Sequence, residues 1–451
     1  MNFPSPFEKR MLEILGPQEY ESFTNALSLT APVSIRINPS KFKAHLNAER
    51  VKWSEYGYYL DQRPVFASDP AWHQGVYYVQ EAGSMLIEQA FKAARKHFNR
   101  PVIVLDLCAS PGGKSTHLVS LMNPDDILVS NEVIRSRVSV LHENLSRFGY
   151  ANTVVTNADS EDFVKSNLHF DIVLVDAPCS GEGLFRKDPE AINEWSEENV
   201  KTCELRQKRI LDNVAQMLNP NGYVIYSTCT YNKGENESQV EYLESKGFER
   251  TVFEVNQNLT DTFQVYPHLE KSEGFFIALL KNKQEVSFKS GRGKSKLKPI
   301  KTDGFLSTLL KKEMPFFEYN GDVLAMPQNL FEFYEAELSA IHTFSIGQKI
   351  AVKTEKLTAA SEYLPFSNLY NEEAFLSIEL DQLNALKYLN KEPVRHSGTE
   401  KGHLVLQYMN LPLGLGKFAG NRINNLYPAE WKLRKMPDLQ SLYNIYVNLK
   451  A

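Results

Sequence analysis

Between residues 101 and 280, short apolar runs alternate with longer segments whose apolar residues recur every three or four positions. The runs are VIVLDL (102–107), DILVSNE (126–132), TVVTNAD (153–159), FDIVLVDAP (170–178) and GYVIYSTC (222–229). They are Val/Ile-rich, as strands covered on both faces should be. Segments 114–122, 133–149 and 198–218 carry helical spacing instead. This alternation predicts an α/β fold with a doubly wound, mostly parallel sheet whose ligands lie at the carboxyl ends of its strands. GFFIALL from Gly274 makes a last strand. Residues 1–95 read as an N-terminal α/β lobe, and the C-terminal third as mixed α+β.

Composition limits the classes open to this chain. At roughly 150 residues per domain, 451 residues imply about three domains. A content of 42% hydrophobic and 23% charged residues excludes collagen-like repetition and wholesale disorder. Four cysteines, Cys108, Cys179, Cys203 and Cys229, are too scattered for a disulfide framework or a zinc cluster, so reduced thiols and no metal are expected. The N-terminus has no signal-peptide core, and no run approaches the roughly 20 apolar residues of a membrane span. A cytoplasmic protein without a membrane partner is expected.

A formal net charge of −5 argues against histone-like affinity for nucleic acid. The charge is uneven, however. Residues 281–301 carry eight Lys/Arg against one acid, and the chain from Lys391 carries nine against four. The division expected is an N-terminal lobe (1–95), a catalytic domain (96–282), a basic linker (283–302), an α+β domain (303–390) and a basic terminal domain (391–451). In the last, Tyr408, Phe418 and Tyr427 lie among Lys417 and Arg422, where they either stack on bases or form core.

The first strand runs into Cys108-Ala109-Ser110-Pro111-Gly112-Gly113-Lys114 and then a helix. Glycines at such a turn let a ligand approach the backbone at the helix's positive end. A P-loop fails because the glycine it needs five positions before Gly113 is Cys108, and no GxGxxG register supports a dinucleotide site. An S-adenosylmethionine pocket asks for acids at successive strand ends. Glu132, nineteen residues after Gly113, Asp159 and Asp176 occupy those positions. Each alone reads as readily as a helix cap or a solvated loop residue. Three in register point to a ligand.

Cys179 follows the fourth strand in DAPCSG, and Cys229 follows the fifth in STCT, so both thiols belong at the same sheet edge. Cys203, on a helical apolar stripe, reads as a small buried hydrophobe. A thiol nucleophile beside a methyl donor suits methylation of pyrimidine carbon 5, which is too weak a nucleophile until a thiolate adds at carbon 6. An acid at ring N3, for which Asp176 is the candidate, would stabilise the developing charge.

LDLCASPGGKS, VDAPCSGEGLFRKDP and YSTCTYNKGENE resemble the signature blocks of the Nop/Sun RNA cytosine-C5 methyltransferases. RINPSK, YVQEAGSM and PHLEKSEGFFIALL are similar to that family's flanking elements, and GDVLAMP and LPLGLGKFAGNRINNLYP to the extension of its bacterial RsmF type, which modifies 16S ribosomal RNA. The resemblance implies a Rossmann-like S-adenosylmethionine-dependent core with a PUA-like, RNA-binding C-terminal extension. It makes Cys229 the nucleophile and Cys179 the group that assists adduct breakdown. Cofactor contacts would fall on Cys108 to Lys114, Glu132 for the ribose, Asp159 for the adenine and Asp176, with Arg137 in the same shell or simply solvated. The partner implied is 16S ribosomal RNA or the small ribosomal subunit, not DNA, met by a monomer. Transfer RNA methylation, a non-catalytic RNA-binding assembly role and, more remotely, a P-loop ATPase are the rival readings.

Overall fold

The computed structural model describes residues 2–284, 297–353, 358–395, 402–420, 422–438 and 442–448. Most of the expected basic linker, 285–296, lies outside the described residues.

Helix α1 (Ser5–Leu27) starts after Pro4 and bends at Gly16-Pro17, where Gly16 has φ 76°. Its buried Phe7, Met11, Phe23 and Leu27 pack on Phe185, Trp195 and Tyr231 of the following domain. Strands β1 (Val33–Ile37), β2 (Gly57–Leu60) and β3 (Tyr77–Val79) form an antiparallel sheet in the order β2-β1-β3. Short α2 (Pro70–His73) and α3 (Ile87–Arg95) lead into the central sheet.

Strands β4 (Ile103–Asp106), β5 (Ile127–Asn131), β6 (Thr153–Thr156), β7 (Phe170–Asp176) and β8 (Leu218–Thr228) are parallel in the order β8-β7-β4-β5-β6. The antiparallel strands Phe275–Asn282 and Thr262–Val265 extend the β8 side. Helices α4 (Gly113–Leu121), α5 (Arg135–Phe148), α6 (Ser160–Lys165), α7 (Glu190–Glu194) and α8 (Glu197–Met217) make the connections. Leu105, Val129, Val154 and Val173 fill one side of the sheet, and Val104, Leu128, Val155 and Ile172 the other, which is why these strands read as nearly unbroken apolar runs. The sheet order turns at β4, so the carboxyl ends of β4, β5 and β7 open a crevice at the switch point. Buried carboxylates pin the opposite ends. Asp126 takes both Arg95 and the Val102 amide, and Asp171 takes Arg100 and the Ile103 amide.

Beyond the linker, Lys298–Ile300, Phe316–Tyr319, Asp322–Ala325, Gln348–Lys353 and Thr358–Ala360 form a five-stranded sheet. Strand Thr343–Ile346 leaves it and pairs antiparallel with β6, completing the central sheet. A second five-stranded sheet includes Leu376–Glu379, parallel to Gly402–Tyr408, so it straddles the boundary expected at residue 390. A strand's sheet is chosen by pairing across long sequence separations, which local pattern does not encode. Tyr408 (4% exposed), Phe418 (7%) and Tyr427 (1%) are core, so base stacking on these rings is corrected. Cys203 is buried on α8. Among the described residues no helix is long and apolar enough to cross a membrane.

One buried cation ties the N-terminal lobe to the crevice. Arg36 of β1 donates to Gln80 Oε1 and Thr116 Oγ1, both at 2.8 Å, and to the Gly113 carbonyl at 3.3 Å, with its guanidinium 5.2 Å from the Phe148 ring centre. Burial lowers its pKa to about 10, so it stays charged. Arg36→Met leaves these acceptors without a donor, at a cost of about 2 kcal/mol. Thermal unfolding should show a midpoint about 2 °C lower with an unchanged far-UV spectrum; an unshifted midpoint would show that the lobe does not depend on this contact.

Candidate active site

The turn after β4 is held from several sides. The Ala109 amide donates to the Asn131 carbonyl at 2.8 Å, Asn144 Nδ2 to the Pro111 carbonyl at 2.8 Å, and Arg137 Nη2 to the Ser110 carbonyl at 2.8 Å. Gly112 has φ 109°, and a Cβ there would meet Leu141 Cδ1 at 3.2 Å, so this turn needs glycine. Glu132 follows β5, is 4% exposed, and accepts from the Ile134 amide through Oε1. Its Oε2 lies 3.8 Å from Arg137 Nη1, so Arg137 bridges the turn and this carboxylate. Val133 (55% exposed) and Ile134 (48%) stand beside it. Asp159 is the N-cap of α6, accepts from the Glu161 amide and pairs with Arg209 at 2.9 Å. Burial opposes its ionisation, but Arg209 and the cap hold it below the usual carboxylate range.

Asp176, at the end of β7, accepts from Ser227 Oγ at 2.9 Å through Oδ1 and from Lys114 Nζ at 2.8 Å through Oδ2. Lys114 thus reaches from the cofactor-type turn to the thiol side. Burial lowers the pKa of its ammonium, and Asp176, Cys229 and Asp106 more than offset that, leaving it raised.

Cys179 and Cys229 lie with their sulfurs 3.2 Å apart, both partly exposed. The Cys229 amide donates to Cys179 Sγ at 3.4 Å. The hydrogen bond to Cys229 and burial push the Cys179 thiol well up, so it retains its proton. Cys108 sits under the turn, and burial raises its thiol as well.

Two residues outside the sequence-derived set shape this site. Glu235, fully buried, accepts from the Ser180 amide at 2.8 Å, from Ser180 Oγ and from Gln207 Nε2 at 3.1 Å. Its own carbonyl accepts from Tyr226 OH at 2.6 Å, and Ser180 Oγ also meets Thr230 Oγ1 at 2.9 Å. The loops that follow β7 and β8 are therefore joined one residue beyond each cysteine. Burial raises Glu235 to about 7. Gly183 completes the clamp: its amide donates to the Cys229 carbonyl at 2.9 Å, and a Cβ there would stand 2.5 Å from the Gly274 carbonyl oxygen. The GENE sequence after the second cysteine was the one local signal for Glu235.

The second is Asp106, the last residue of β4, fully buried below the turn. Its Oδ2 accepts from Ser115 Oγ at 2.6 Å, whereas Oδ1 has no hydrogen-bond partner among the described residues. Burial, reinforced by Asp176 and Glu132, raises it to about 7. An orphaned buried carboxylate oxygen suits a cationic ligand group. With the glycine turn above it and the buried acid Glu132 followed by the exposed apolar Val133 and Ile134, the residues present fit a ligand with an ammonium, a diol and a flat heterocycle.

Family models match three stretches of the chain. Residues 97–281 match the family model described as 16S rRNA methyltransferase RsmB/F, residues 3–82 the N-terminal domain of 16S rRNA methyltransferase RsmF, and residues 375–433 the methyltransferase RsmF PUA domain. The ribosomal RNA small subunit methyltransferase F of Vibrio cholerae serotype O1 (strain M66-2) is 31% identical, over 95% of this chain and 98% of its own. That of Shewanella piezotolerans is 29% identical over 91% and 93%. A solved methyltransferase homolog protein from Pyrococcus horikoshii is 26% identical and superposes with a TM-score of 0.53 over 62% of this chain and 96% of its own. NSun6 from Pyrococcus horikoshii, solved with SFG, is 18% identical with a TM-score of 0.54 over 63% and 99%, a likeness of fold. The crevice thus lies in a Rossmann-like methyltransferase domain, and with identity spread over nearly its whole length the chain belongs to the ribosomal RNA small subunit methyltransferase F family.

Proposed function

We propose that this protein transfers a methyl group from S-adenosylmethionine to carbon 5 of a cytosine in 16S ribosomal RNA, through a covalent adduct between Cys229 and carbon 6. The observation that carries this reading is the pair of sulfurs 3.2 Å apart at adjacent strand ends, next to the Asp176–Lys114 ion pair. A structural thiol needs neither a second thiol at that distance nor a carboxylate–ammonium pair at the mouth of a crevice.

When bound, S-adenosylmethionine supplies an electrophilic methyl group on a sulfonium. The chain's own residues would hold it along the crevice. Asp106 Oδ1 would take its ammonium, Glu132 its ribose hydroxyls, and Val133 and Ile134 would flank the adenine. Asp159, already occupied by Arg209 and its helix cap, can reach the adenine only by keeping or exchanging those bonds.

On the base side, the Cys229 thiolate adds to carbon 6, and the electron pair moves through the ring to make carbon 5 nucleophilic. Asp176, steadied by Ser227 and Lys114, would accept from the exocyclic amine and from N3, which takes a proton from water as the thiolate adds and returns it on elimination, so the charge that develops on the ring is offset. Lys114 also brings its positive charge to the thiols. After carbon 5 has gained the methyl group, its proton leaves to water, the double bond re-forms and the carbon–sulfur bond breaks. Cys179 keeps its proton and lies within hydrogen-bond reach, so it would donate that proton to the departing Cys229 sulfur. A cytosine must leave its stack to enter such a site, at a few kcal/mol, which contacts elsewhere on the RNA must offset.

Transfer of a labelled methyl group to 16S ribosomal RNA, naked and in small subunits, tests the assignment. Cys229→Ala should show no turnover and no adduct, whereas Cys179→Ala should accumulate a protein–RNA species that survives a denaturing gel. Exchanged phenotypes would make Cys179 the nucleophile, and transfer to transfer RNA alone would contradict the substrate.

Asp106 supplies a second test. Its folded pKa of about 7 lies above the ordinary carboxylate value, and a bound ammonium favours the ionised form, so affinity should rise as pH goes from 6 to 7.5. Asp106→Asn should weaken S-adenosylmethionine about tenfold at pH 7.5 in equilibrium binding, as expected for one charged hydrogen bond, and flatten that rise. Unchanged affinity would remove Asp106 from the cofactor site.

A further inference from the structure

A cleft of about 220 Å3 lies between α5 of the catalytic domain and the first C-terminal sheet. We propose that it holds one unstacked nucleobase of the RNA substrate, at a nucleotide other than the one methylated. The proposal rests on the RNA reading of the thiol site but uses none of its residues.

Phe344 carries the argument. Strand Thr343–Ile346 runs along the edge of the central sheet, and its register with β6 shifts between Thr343 and Ser345. Phe344 is the residue at that irregularity, and its ring is 48% exposed. A bulge of this kind re-aims a side chain, here turning a large aromatic ring outward rather than into the core. Exposing such a ring forgoes the burial that a regular register offers to Ile346 on the same strand.

The ring is not alone. His142 of α5 lies edge-on to it, with centroids 5.3 Å apart, and Tyr363 is 6.0 Å from His142. Lys349 Nζ lies 5.6 Å from the Tyr363 ring centre and 3.0 Å from Asp322. Among the described residues that line the cleft, Lys349 and Asp322 are the one lysine and the one carboxylate, and they neutralise each other. Burial lowers His142 to about 4, so it is uncharged at neutral pH. A cleft with balanced charge and five rings, those of Tyr319 and Tyr334 included, does not select a phosphate. It suits a flat, neutral heteroaromatic ring with hydrogen-bonding edges, and Asn320 and the backbone near Gly347 can meet those edges. The volume admits one base rather than a whole nucleotide with its neighbours.

Position favours a base that belongs to the RNA. His142 is five residues beyond Arg137 on α5, about 7.5 Å along the helix axis from the residue that bridges Glu132 and the turn. On its other side Tyr363 OH donates to Glu430, so the cleft borders the PUA domain. A chain of RNA that places a base here spans the catalytic and C-terminal domains. The residues that the C-terminal region gives to the cleft, from Tyr319 to Lys349 together with Tyr363, fall between the regions that the family models cover.

Two measurements on the full chain test this. Phe344→Ala should raise KM for 16S ribosomal RNA about tenfold, with kcat and S-adenosylmethionine affinity unchanged, and Phe344→Tyr should restore it. Val140→Ala, exposed on α5 outside the cleft, should change nothing. Equilibrium binding of RNA fragments carrying 2-aminopurine should show quenching at one position that Phe344→Ala abolishes. That quenching does not require methyl transfer, so it can stand even if the cytosine chemistry fails. An unchanged KM together with unchanged quenching would overturn the proposal, as would an equal loss of cofactor affinity, or free nucleoside monophosphates competing fully for the site.

Discussion

The two sulfurs depend on a carboxylate that neither of them touches. Parallel pairing of β7 with β8 brings Asp176 opposite Ser227, but the cysteines lie beyond the last paired residues, in loops that could diverge. Glu235 prevents that by accepting from both the backbone and the hydroxyl of Ser180, while Ser180 in turn meets Thr230. Taking such a carboxylate out of water is unfavourable, and its raised pKa reflects that. The hydrogen bonds offset the penalty only in this one arrangement, so the network specifies geometry more than it adds stability.

The same principle recurs around the crevice. Arg36 is fully buried with neutral oxygens as its hydrogen-bond acceptors, and it fixes the Gly113 end of the turn. Asp106 is buried directly below with one oxygen unpartnered. Apolar packing alone could form this sheet. The buried polar groups set where its carboxyl edge is open, which charges line it and which atoms are left wanting a ligand.

The central sheet was legible in the sequence because its strands are buried on both faces, so Val104, Val129 and Val173 sit in runs with no polar interruption. The turn was legible because Gly112 and Gly113 have no other reason to follow a strand. The two thiols could be placed at one edge from β-strand order alone. Three things could not. Strand Thr343–Ile346 pairs with β6 nearly two hundred residues away, and nothing local in TFSI announces it. Tyr408 and Phe418 sit among basic residues in sequence but point inward, because alternate strand positions face opposite ways, and Tyr427, just past the last strand, packs on Phe366, Tyr388 and Trp431. Glu235 reads as one acid in a polar loop, and only the fold shows Ser180 and Gln207 converging on it.

The proposed reaction requires the Cys229 sulfur to bond carbon 6 of a cytosine. Replacing the carbon 5 hydrogen of that cytosine with fluorine removes the proton that must leave before the carbon–sulfur bond can break, so the adduct is held. The most direct measurement is peptide mapping of the wild-type protein by mass spectrometry after reaction with S-adenosylmethionine and 16S ribosomal RNA containing 5-fluorocytidine. A methylated fluoropyrimidine nucleotide on the peptide that contains Cys229 is the expected product. The same mass on the Cys179 peptide, or on neither, would contradict that reaction.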